Sequence, residues 1–366
     1  MHGGDIYTRK IEYDFSVNIN PLGYPAEVLE YIKKCLEKAD DYPDIFQKRA
    51  RERIAVLEGV DEDEIICGNG ASELIMAVIR AVNPKNALIV SPGFYGYIHA
   101  LHAAGMKEKK ASGSGESAEL LDNRAYYQEY LLREESGFCI QEDILEYIDS
   151  VDMLFLANPN NPTGRNIDPE ILERILQRAK EKKCAVLLDE CFLRLSDNVK
   201  SFKTSVNEYS NLYVVDAFTK IFALPGIRSG YLISKKDNIE KVRRQLPEWN
   251  LSTASEALLV AGARELLNTD YADRSLELIR REREYVKIEL NKLGFKVYTS
   301  DTNFLLIRIL MKEDIDLYER LIQRKILIRD CSDFSGLGKD WYRIAVKKHE
   351  ENAMLINEIR QILETL

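Results

Sequence analysis

The chain has 366 residues, of which 45% are hydrophobic, and its formal net charge at neutral pH is −9. This length predicts two domains, or one large domain carrying a smaller one, with a substantial core. The acidic balance argues against nucleic acid or an anionic membrane as the main partner, because both attract basic surfaces.

Cysteine placement and hydrophobicity limit the class of protein further. The six cysteines are scattered without a C-x-x-C pair, so the sequence favours buried, reduced thiols over a disulfide framework or a metal site. No leader sequence opens the chain, and no apolar run is long enough to span a membrane. We therefore expect a soluble, cytoplasmic protein without a metal ion.

Short apolar runs alternate with amphipathic stretches between about residues 46 and 235. Continuous apolar strands separated by helices are typical of a parallel sheet covered on both faces. We therefore predict an α/β fold with a mostly parallel sheet. The predicted strands are 65–68, 86–92, 151–159, 185–190 and 212–218, and the helices between them are 73–82, 94–105 and 169–183.

The pattern changes after about residue 236. Residues 275–295 predict one long helix, and strand-like and helical stretches follow it to the end of the chain. Its predicted apolar face consists of Leu276, Ile279, Val286, Leu290 and Leu293. We expect a smaller α+β domain here. The predicted division is an amino-terminal arm with part of the small domain at 1–40, a large cofactor-binding domain at 41–240, and the long connecting helix with the small domain at 241–366.

One segment matches neither the strand–helix alternation of residues 46–235 nor the pattern after residue 236. Residues 111–137 begin small and polar and become aromatic and charged. We predict a surface insertion, with a lid over the site as the alternative, since long loops are often functional.

Polar and aromatic residues follow four of the predicted strands, at the sheet edge where ligands of parallel sheets bind. "GNGASE" (68–73) leads into a helix whose first N–H groups, with the Ser72 hydroxyl, could hold a phosphate. Phe94 follows the next strand, and Asn161 lies in the turn "NPNNPTG". Asp189 ends an apolar strand, where a carboxylate needs a partner.

The segment "TKIFALPGIR" after the fifth strand places Lys220 and Arg228 on either side of a tight turn. Taken alone, they could be two solvated cations. Together with the phosphate cradle, the aromatic residue and the isolated aspartate, they match the needs of pyridoxal phosphate. That cofactor requires a Schiff-base lysine, a carboxylate beside its ring nitrogen and an anion clamp. The sequence thus predicts that Lys220 binds the aldehyde and Arg228 the phosphate.

The motifs "NPNNPTG", "LLDE" and "TKIFALPGIRSGY", in this order, resemble the class I/II aminotransferase superfamily of fold-type I pyridoxal-phosphate enzymes, and the resemblance covers nearly the whole chain. It implies that Lys220 forms the Schiff base and that Asp189 keeps the ring nitrogen protonated. Asn161 would donate to the ring oxygen, and Phe94 would stack on the ring. The phosphate cradle implied by the resemblance comprises Gly70, Ala71, Ser72, Thr219 and Arg228.

The same resemblance implies two contacts outside the cofactor cradle. Tyr42, in "DYPD", matches a tyrosine that reaches the phosphate from the partner subunit, which implies a homodimer. Arg343, in "WYRIAV", matches the arginine that binds the substrate carboxylate, a bidentate task suited to guanidinium.

Two branches of the superfamily are most similar by pattern, the threonine-phosphate decarboxylases of cobalamin biosynthesis and the histidinol-phosphate aminotransferases. The opening "MHGGD" with His2 and Gly4, and "DFSVNINPLG" with Asn20, resemble the decarboxylases, although the first could also be a mobile terminus. Phe192 stands where those aminotransferases usually have a tyrosine. "ILIRDC" also resembles the decarboxylases, with Arg329 as a candidate for the substrate phosphate.

The expected reaction is therefore decarboxylation of L-threonine O-3-phosphate to (R)-1-aminopropan-2-yl phosphate, with His2, Gly4, Asn20, Asn161, Arg329 and Arg343 as substrate contacts. An aminotransferase acting on histidinol phosphate or a similar amine is the alternative, and the segment 111–135 departs from both branches. A non-enzymatic regulator built on the same fold is the remote alternative. Such proteins usually carry an added DNA-binding domain, whereas here the core begins within about 40 residues and the chain is acidic.

Overall fold

A computed structural model of the chain describes residues 3–109, 125–197, 200–310 and 315–365. The predicted contact of His2 lies outside these residues, as does the first half of the segment 111–137. The described strands are β1 (Tyr13–Asp14), β2 (Ile65–Gly68), β3 (Asn86–Ser91), β4 (Lys107–Glu108), β5 (Tyr126–Leu131), β6 (Met153–Ala157), β7 (Ala185–Asp189), β8 (Leu212–Asp216), β9 (Gly230–Ser234), β10 (Phe295–Val297), β11 (Phe304–Ile309), β12 (Ile326–Leu327), β13 (Arg329–Asp330) and β14 (Trp341–Ala345).

The described α-helices surround these strands. They are α1 (Ala26–Leu36), α2 (Lys48–Glu58), α3 (Ala71–Val82), α4 (Gly96–Ala103), α5 (Ile144–Ile148), α6 (Pro169–Lys182), α7 (Phe218–Ile221), α8 (Lys236–Arg243), α9 (Thr253–Asn268), α10 (Tyr271–Lys292), α11 (Leu317–Gln323) and α12 (His349–Glu364). None of them combines the length and the apolar composition needed to cross a bilayer.

The central sheet has eight strands in the order β2-β9-β8-β7-β6-β3-β5-β4. Its strands are parallel from β8 to β4, whereas β9 runs antiparallel to both of its neighbours. The predicted α/β fold with a mostly parallel sheet is confirmed. The sequence analysis did not predict β9. The predicted pattern alternated strands with helices, whereas β9 follows the turn at Arg228 directly.

The segment predicted as a surface insertion contains a strand of this sheet. β5 pairs in parallel with β3 along its whole length, and Tyr127 and Tyr130 on it are buried. The polar residues Gln128 and Glu129 lie between these tyrosines, so the sequence lacks the continuous apolar run that predicts a buried strand. β5 lies next to the edge of the sheet. Residues 126–131 are therefore core structure and not insertion.

Helices cover both faces of the sheet. Leu187 and Val215 pack into the hydrophobic cluster that contains α3 and α4, whereas Leu188 and Val214 pack into the cluster that contains α6 and α9. Because successive side chains on a strand point to opposite faces, each strand is apolar throughout and becomes polar only where it ends. The carboxyl ends of β6, β7 and β8 thereby form one polar edge.

A second sheet is antiparallel, with the order β10-β11-β14-β13. The short parallel pair β1–β12 joins the amino-terminal segment to this carboxy-terminal region. The predicted long helix is α10, on which Ile279, Val286 and Leu290 are buried, although Leu276 and Leu293 are only partly so. The division of the chain at residues 40 and 240 stays a prediction.

Candidate active site

A cavity of about 260 Å³ lies where the carboxyl ends of the central strands meet the second sheet and the amino-terminal segment. Ten of the residues predicted from the sequence line it: Ala71, Ser72, Phe94, Asn161, Asp189, Thr219, Lys220, Arg228, Arg329 and Arg343. The strands β6, β7 and β8 deliver the central members of this set, because each strand ends at the same edge of the sheet. The structure thus brings most of the predicted residues together in one cavity, and their roles stay predictions.

The backbone at the amino terminus of α3 allows a ligand to approach closely. Gly70 precedes the helix with φ +82°, a conformation that favours glycine, and a Cβ there would lie 2.6 Å from Nη2 of Arg228. Arg228 itself adopts a left-handed φ of +60° and donates from Nη1 to the carbonyl of Pro225 at 3.3 Å. The arginine therefore lies directly over the helix amino terminus, where backbone N–H groups and a cation together favour an anion.

Asp189, the last residue of β7, is held by two neutral donors. The Tyr97 hydroxyl donates to Oδ2 at 2.8 Å, and the backbone N–H of Cys191 donates to Oδ1 at 2.9 Å. Burial raises the pKa of Asp189 above its ordinary value, and these two hydrogen bonds oppose the rise. A cationic ligand group beside this carboxylate would offset the cost of its burial.

Lys220 lies on the single turn α7, and its ammonium stands 5.6 Å from the centroid of the Phe192 ring. Burial lowers the pKa of Lys220 to about 8, and the charges of Arg343 and Arg228 add to the fall. A lysine with such a pKa is partly neutral at physiological pH and can act as a nucleophile.

Arg343 lies on the opposite wall, and neutral oxygens hold it. It donates to Oδ1 of Asn161 and, at 2.5 Å, to the carbonyl of Ser16. When the side-chain amide of Asn18 is oriented with its oxygen toward Arg343, that oxygen accepts a hydrogen bond from Nε of Arg343 at 3.2 Å. Burial lowers the pKa of Arg343 to about 10, so the guanidinium stays charged at neutral pH. None of these described partners neutralises that charge.

Arg329 is buried beside Arg343 and lines the same wall. Its Nη2 lies 2.7 Å from Oδ1 of Asp333, and its guanidinium carbon lies 4.8 Å from the centroid of the Phe334 ring. Arg329 thus pairs with Asp333 and also lines the cavity.

Three predicted residues lie elsewhere. Asn20 does not line the cavity: its amide donates to the Ile221 carbonyl and to the hydroxyls of Tyr271 and Ser275, all within 3.0 Å. Gly4 donates its N–H to the Ser16 hydroxyl. Tyr42 is 81% exposed and packs against Trp249 at a ring separation of 5.0 Å, outside the cavity of its own chain.

Several lining residues were missed by the sequence analysis, among them Tyr97, Cys191 and the run from Ser16 to Asn18. Tyr97 lies three residues after Phe94 on the same turn of chain, a spacing that places both on one face and that could have indicated it. Nothing in the sequence indicated that Ser16 and Asn18, and not Asn20, reach the cavity.

This set of groups fits pyridoxal phosphate. The anion cradle has no room for a Cβ at Gly70, no salt bridge joins the buried carboxylate of Asp189 to a cation among the described residues, and Lys220 offers an amine of lowered pKa. These are the groups that the phosphate, the ring nitrogen and the aldehyde of that cofactor require.

Comparison with known proteins identifies the family of this chain. Residues 10–359 match the family model described as aminotransferase class I and II. A Caldanaerobacter subterraneus protein provisionally named threonine-phosphate decarboxylase is 35% identical, over 99% of this chain and 94% of its own length. A histidinol-phosphate aminotransferase of Clostridium kluyveri is 30% identical, over 97% of this chain and 95% of its own.

Solved structures show the same relationship. The histidinol-phosphate aminotransferase of Clostridium acetobutylicum superposes with a TM-score of 0.84 at 32% identity, over 97% of this chain and 100% of that one. The chain belongs to the class I and II aminotransferase family of enzymes, and its cofactor is pyridoxal phosphate.

Proposed function

We propose that this enzyme decarboxylates L-threonine O-3-phosphate to (R)-1-aminopropan-2-yl phosphate. The observation that carries the proposal is the arginine pair. Arg329 and Arg343 are direct cross-strand partners on β13 and β14, are 7% and 6% exposed, and both line the cavity. Asp333 pairs with Arg329, whereas Asn161 and Ser16 hold Arg343 through neutral oxygens. Like charges directly opposite each other destabilise a sheet, so two guanidinium groups with one carboxylate between them favour a ligand with two anionic groups close together.

Phosphothreonine offers these two groups. In this assignment Arg343 binds the carboxylate in the bidentate manner that guanidinium allows, and Arg329 binds the phosphate. Two anchors fix the orientation of the substrate, and that orientation decides which bond at its Cα breaks. The Phe192 ring beside Lys220 supports the proposal, because it presents no hydroxyl at this wall.

The cofactor would be held by Lys220, Asp189, Asn161, Phe94, Thr219, Arg228 and the backbone of Gly70, Ala71 and Ser72. Pyridoxal phosphate supplies an electron sink when bound. Lys220 would then deliver a proton to Cα, a task for which a pKa of about 8 is well suited.

We also propose that the enzyme works as a homodimer in which the partner's Tyr42 reaches the cofactor phosphate. The exposure of this tyrosine supports the proposal, since an 81% exposed ring next to the exposed Trp249 is an apolar surface that a second copy would cover.

Product analysis tests the reaction. Purified enzyme with pyridoxal phosphate should release carbon dioxide from O-phospho-L-threonine without any keto acid, and L-threonine lacking the phosphate should be a far poorer substrate. The competing activity is transamination between histidinol phosphate and 2-oxoglutarate, which the relatives of that name support. Formation of glutamate from that pair, with no carbon dioxide from phosphothreonine, would overturn the decarboxylase proposal.

Replacing Arg329 by methionine should raise KM for phosphothreonine by about 100-fold, because a charge-assisted contact worth about 3 kcal/mol is lost. The value of kcat should change less, since Arg329 touches no reacting atom in this assignment. Steady-state kinetics measure both constants. The exposed Arg280, changed to methionine, is the matched control, and an equal KM for Arg329→Met and wild type would remove Arg329 from the substrate site.

Cofactor binding should depend on pH through Lys220. Only the neutral amine attacks an aldehyde, and with a pKa of about 8 roughly a tenth of it is neutral at pH 7. The rate constant for association of pyridoxal phosphate with the apoenzyme should therefore rise with pH and level off above about 8. Because the charge of Arg343 lowers the pKa of Lys220, Arg343→Met should move the plateau to higher pH. Stopped-flow absorbance measures both profiles, and a flat profile between pH 6 and 9 would contradict the prediction.

A further inference from the structure

A cluster of buried charges lies on the opposite face of the central sheet from Asp189. Successive residues of a strand point to opposite faces, so Glu190 points away from the cavity that Asp189 faces. We call this cluster the buried charge network. It comprises Glu58, Glu190, Arg194, Lys203, Asp216 and Tyr231.

Lys203 is the centre of the network. Its ammonium is 2% exposed and lies 2.7 Å from Asp216, 3.3 Å from Glu58 and 3.5 Å from Glu190. Arg194 contacts Glu58 at 2.5 Å, and the Tyr231 hydroxyl lies 2.8 Å from Asp216. With all five groups ionised, three carboxylates share two cations, which leaves one formal negative charge in excess beneath the site. Burial raises the pKa of Glu190, and the charge of Lys203 opposes that rise.

Stability alone does not require such a network. Removing two charges from water costs several kcal/mol per ion, and well-packed apolar residues are often as stabilising as a buried ion pair. The buried charge network therefore points to a role other than stability, and the positions of its residues in the chain indicate that role.

Both catalytic strand ends are tied to the network. Asp216 ends β8, and its Oδ1 accepts from the N–H of Ala217 at 2.6 Å, at the start of the turn that carries Lys220. Glu190 directly follows Asp189, and its carboxylate accepts from the Phe202 N–H at 2.8 Å and from the Ser201 hydroxyl at 2.7 Å. Lys203 joins these two carboxylates across the space between β7 and β8.

The two faces of the sheet are also coupled electrostatically. Burial raises the pKa of Asp189, and the charge of Asp216 adds to the rise. On the cavity side, the charged and titratable groups around Lys220 are Cys191, Arg343, Arg228 and Asp189. A charge change in the network would therefore be felt at Asp189, which is itself one of the charges around Lys220.

We propose that the buried charge network acts on the reaction through Lys220 and Asp189: its members are positioning residues that hold the two strand ends in register and keep net negative charge beneath them. The proposal rests on Lys220 holding the cofactor. It does not depend on whether decarboxylation or transamination follows.

The test uses the holoenzyme and two variants that change the network charge in opposite directions. Lys203→Met removes a positive charge, which favours the protonated form of the lysine-bound cofactor. It should raise the pH midpoint of the cofactor's visible absorption band by about half a unit to one unit. Glu190→Gln, which keeps the shape of the side chain, should lower the midpoint by a similar amount. In both variants kcat should fall on the order of tenfold or more with KM nearly unchanged. Displacement of the two strand ends would affect the chemical step and not the binding of substrate.

The matched control is Lys235→Met, which breaks a partly buried ion pair with Glu64, 3.0 Å long, that has no contact with the network. It should leave both the midpoint and kcat unchanged. Midpoints that do not move, or that move in the same direction in both folded variants, would overturn the proposal. Should Lys203→Met fail to fold, the sign of the shift in Glu190→Gln decides. Borohydride labelling of Lys220 in the wild type shows separately whether the cofactor is held there.

Discussion

Replacing Lys220 by alanine should lower turnover on the order of 10⁴-fold or more and leave the fold intact. In the proposed assignment the change removes the amine that holds the cofactor and the group that transfers the proton, and a well-placed acid–base group alone contributes up to about 10⁴-fold. The fold should survive because burial disfavours the charged ammonium and no salt bridge joins Lys220 to a carboxylate among the described residues, so its loss removes no ion pair. Near-normal circular dichroism and thermal unfolding of the variant would demonstrate this.

Borohydride reduction measures the attachment directly. Reduction of the holoenzyme followed by peptide mapping should place the label on Lys220, and Lys220→Ala should take up none. The exposed Lys200, changed to alanine, is the control that should label as the wild type does. A label on another lysine of the wild-type enzyme would end the assignment.

The central strands could be predicted because they are covered on both faces. Residues 65–68 are a strand with the predicted bounds, and the strand predicted at 185–190 ends one residue earlier, at Asp189. A run of apolar residues ending in a carboxylate therefore located both the strand and a site residue. β5 lacked this signal, because only Tyr127 and Tyr130 on it are buried.

The walls of the site were harder to predict, because loops and the second sheet form them. Asn20 and Asn18 lie two residues apart in the same loop, yet the first is bound internally by Ile221, Tyr271 and Ser275, and the second faces Arg343. Strand periodicity does not extend into such a loop, so the sequence gives no means to choose between them. The role of Tyr42 is a different case, since it depends on a second subunit.

Neither the sequence nor the fold distinguishes decarboxylation from transamination. Relatives named for either activity match nearly the whole chain, and in our assignment both reactions would use Lys220 and Asp189. What distinguishes the reactions is the orientation of the substrate relative to the cofactor ring, which in the proposed assignment depends on the anchors at Arg329 and Arg343. Substrate turnover therefore decides the reaction, and the cofactor-site predictions stand independently of it.

Replacing Asp189 by asparagine should lower kcat by about 10² to 10³-fold while the cofactor stays bound. The carboxylate is buried with two neutral donors, and a protonated ring nitrogen is the cation that would offset its burial. Asparagine has nearly the same shape but no charge, so the ring nitrogen would lose its proton and the electron sink would weaken. Preorganised charges of this kind contribute about 10² to 10³-fold when removed singly. The phosphate cradle at Gly70 and Arg228 is untouched, so binding should persist.

Tyr97→Phe is the graded control for this prediction. The Tyr97 hydroxyl donates to Oδ2 of Asp189 at 2.8 Å, and this bond lowers the carboxyl pKa. Without it the pKa of Asp189 should rise further, yet the carboxylate stays in place and pairs with the ring nitrogen. We therefore expect a loss of kcat of only about tenfold or less, corresponding to one neutral hydrogen bond. Steady-state kinetics and the absorption spectrum of the bound cofactor should rank the enzymes as wild type, Tyr97→Phe and Asp189→Asn. Near-normal turnover of Asp189→Asn would show that another group protonates the ring.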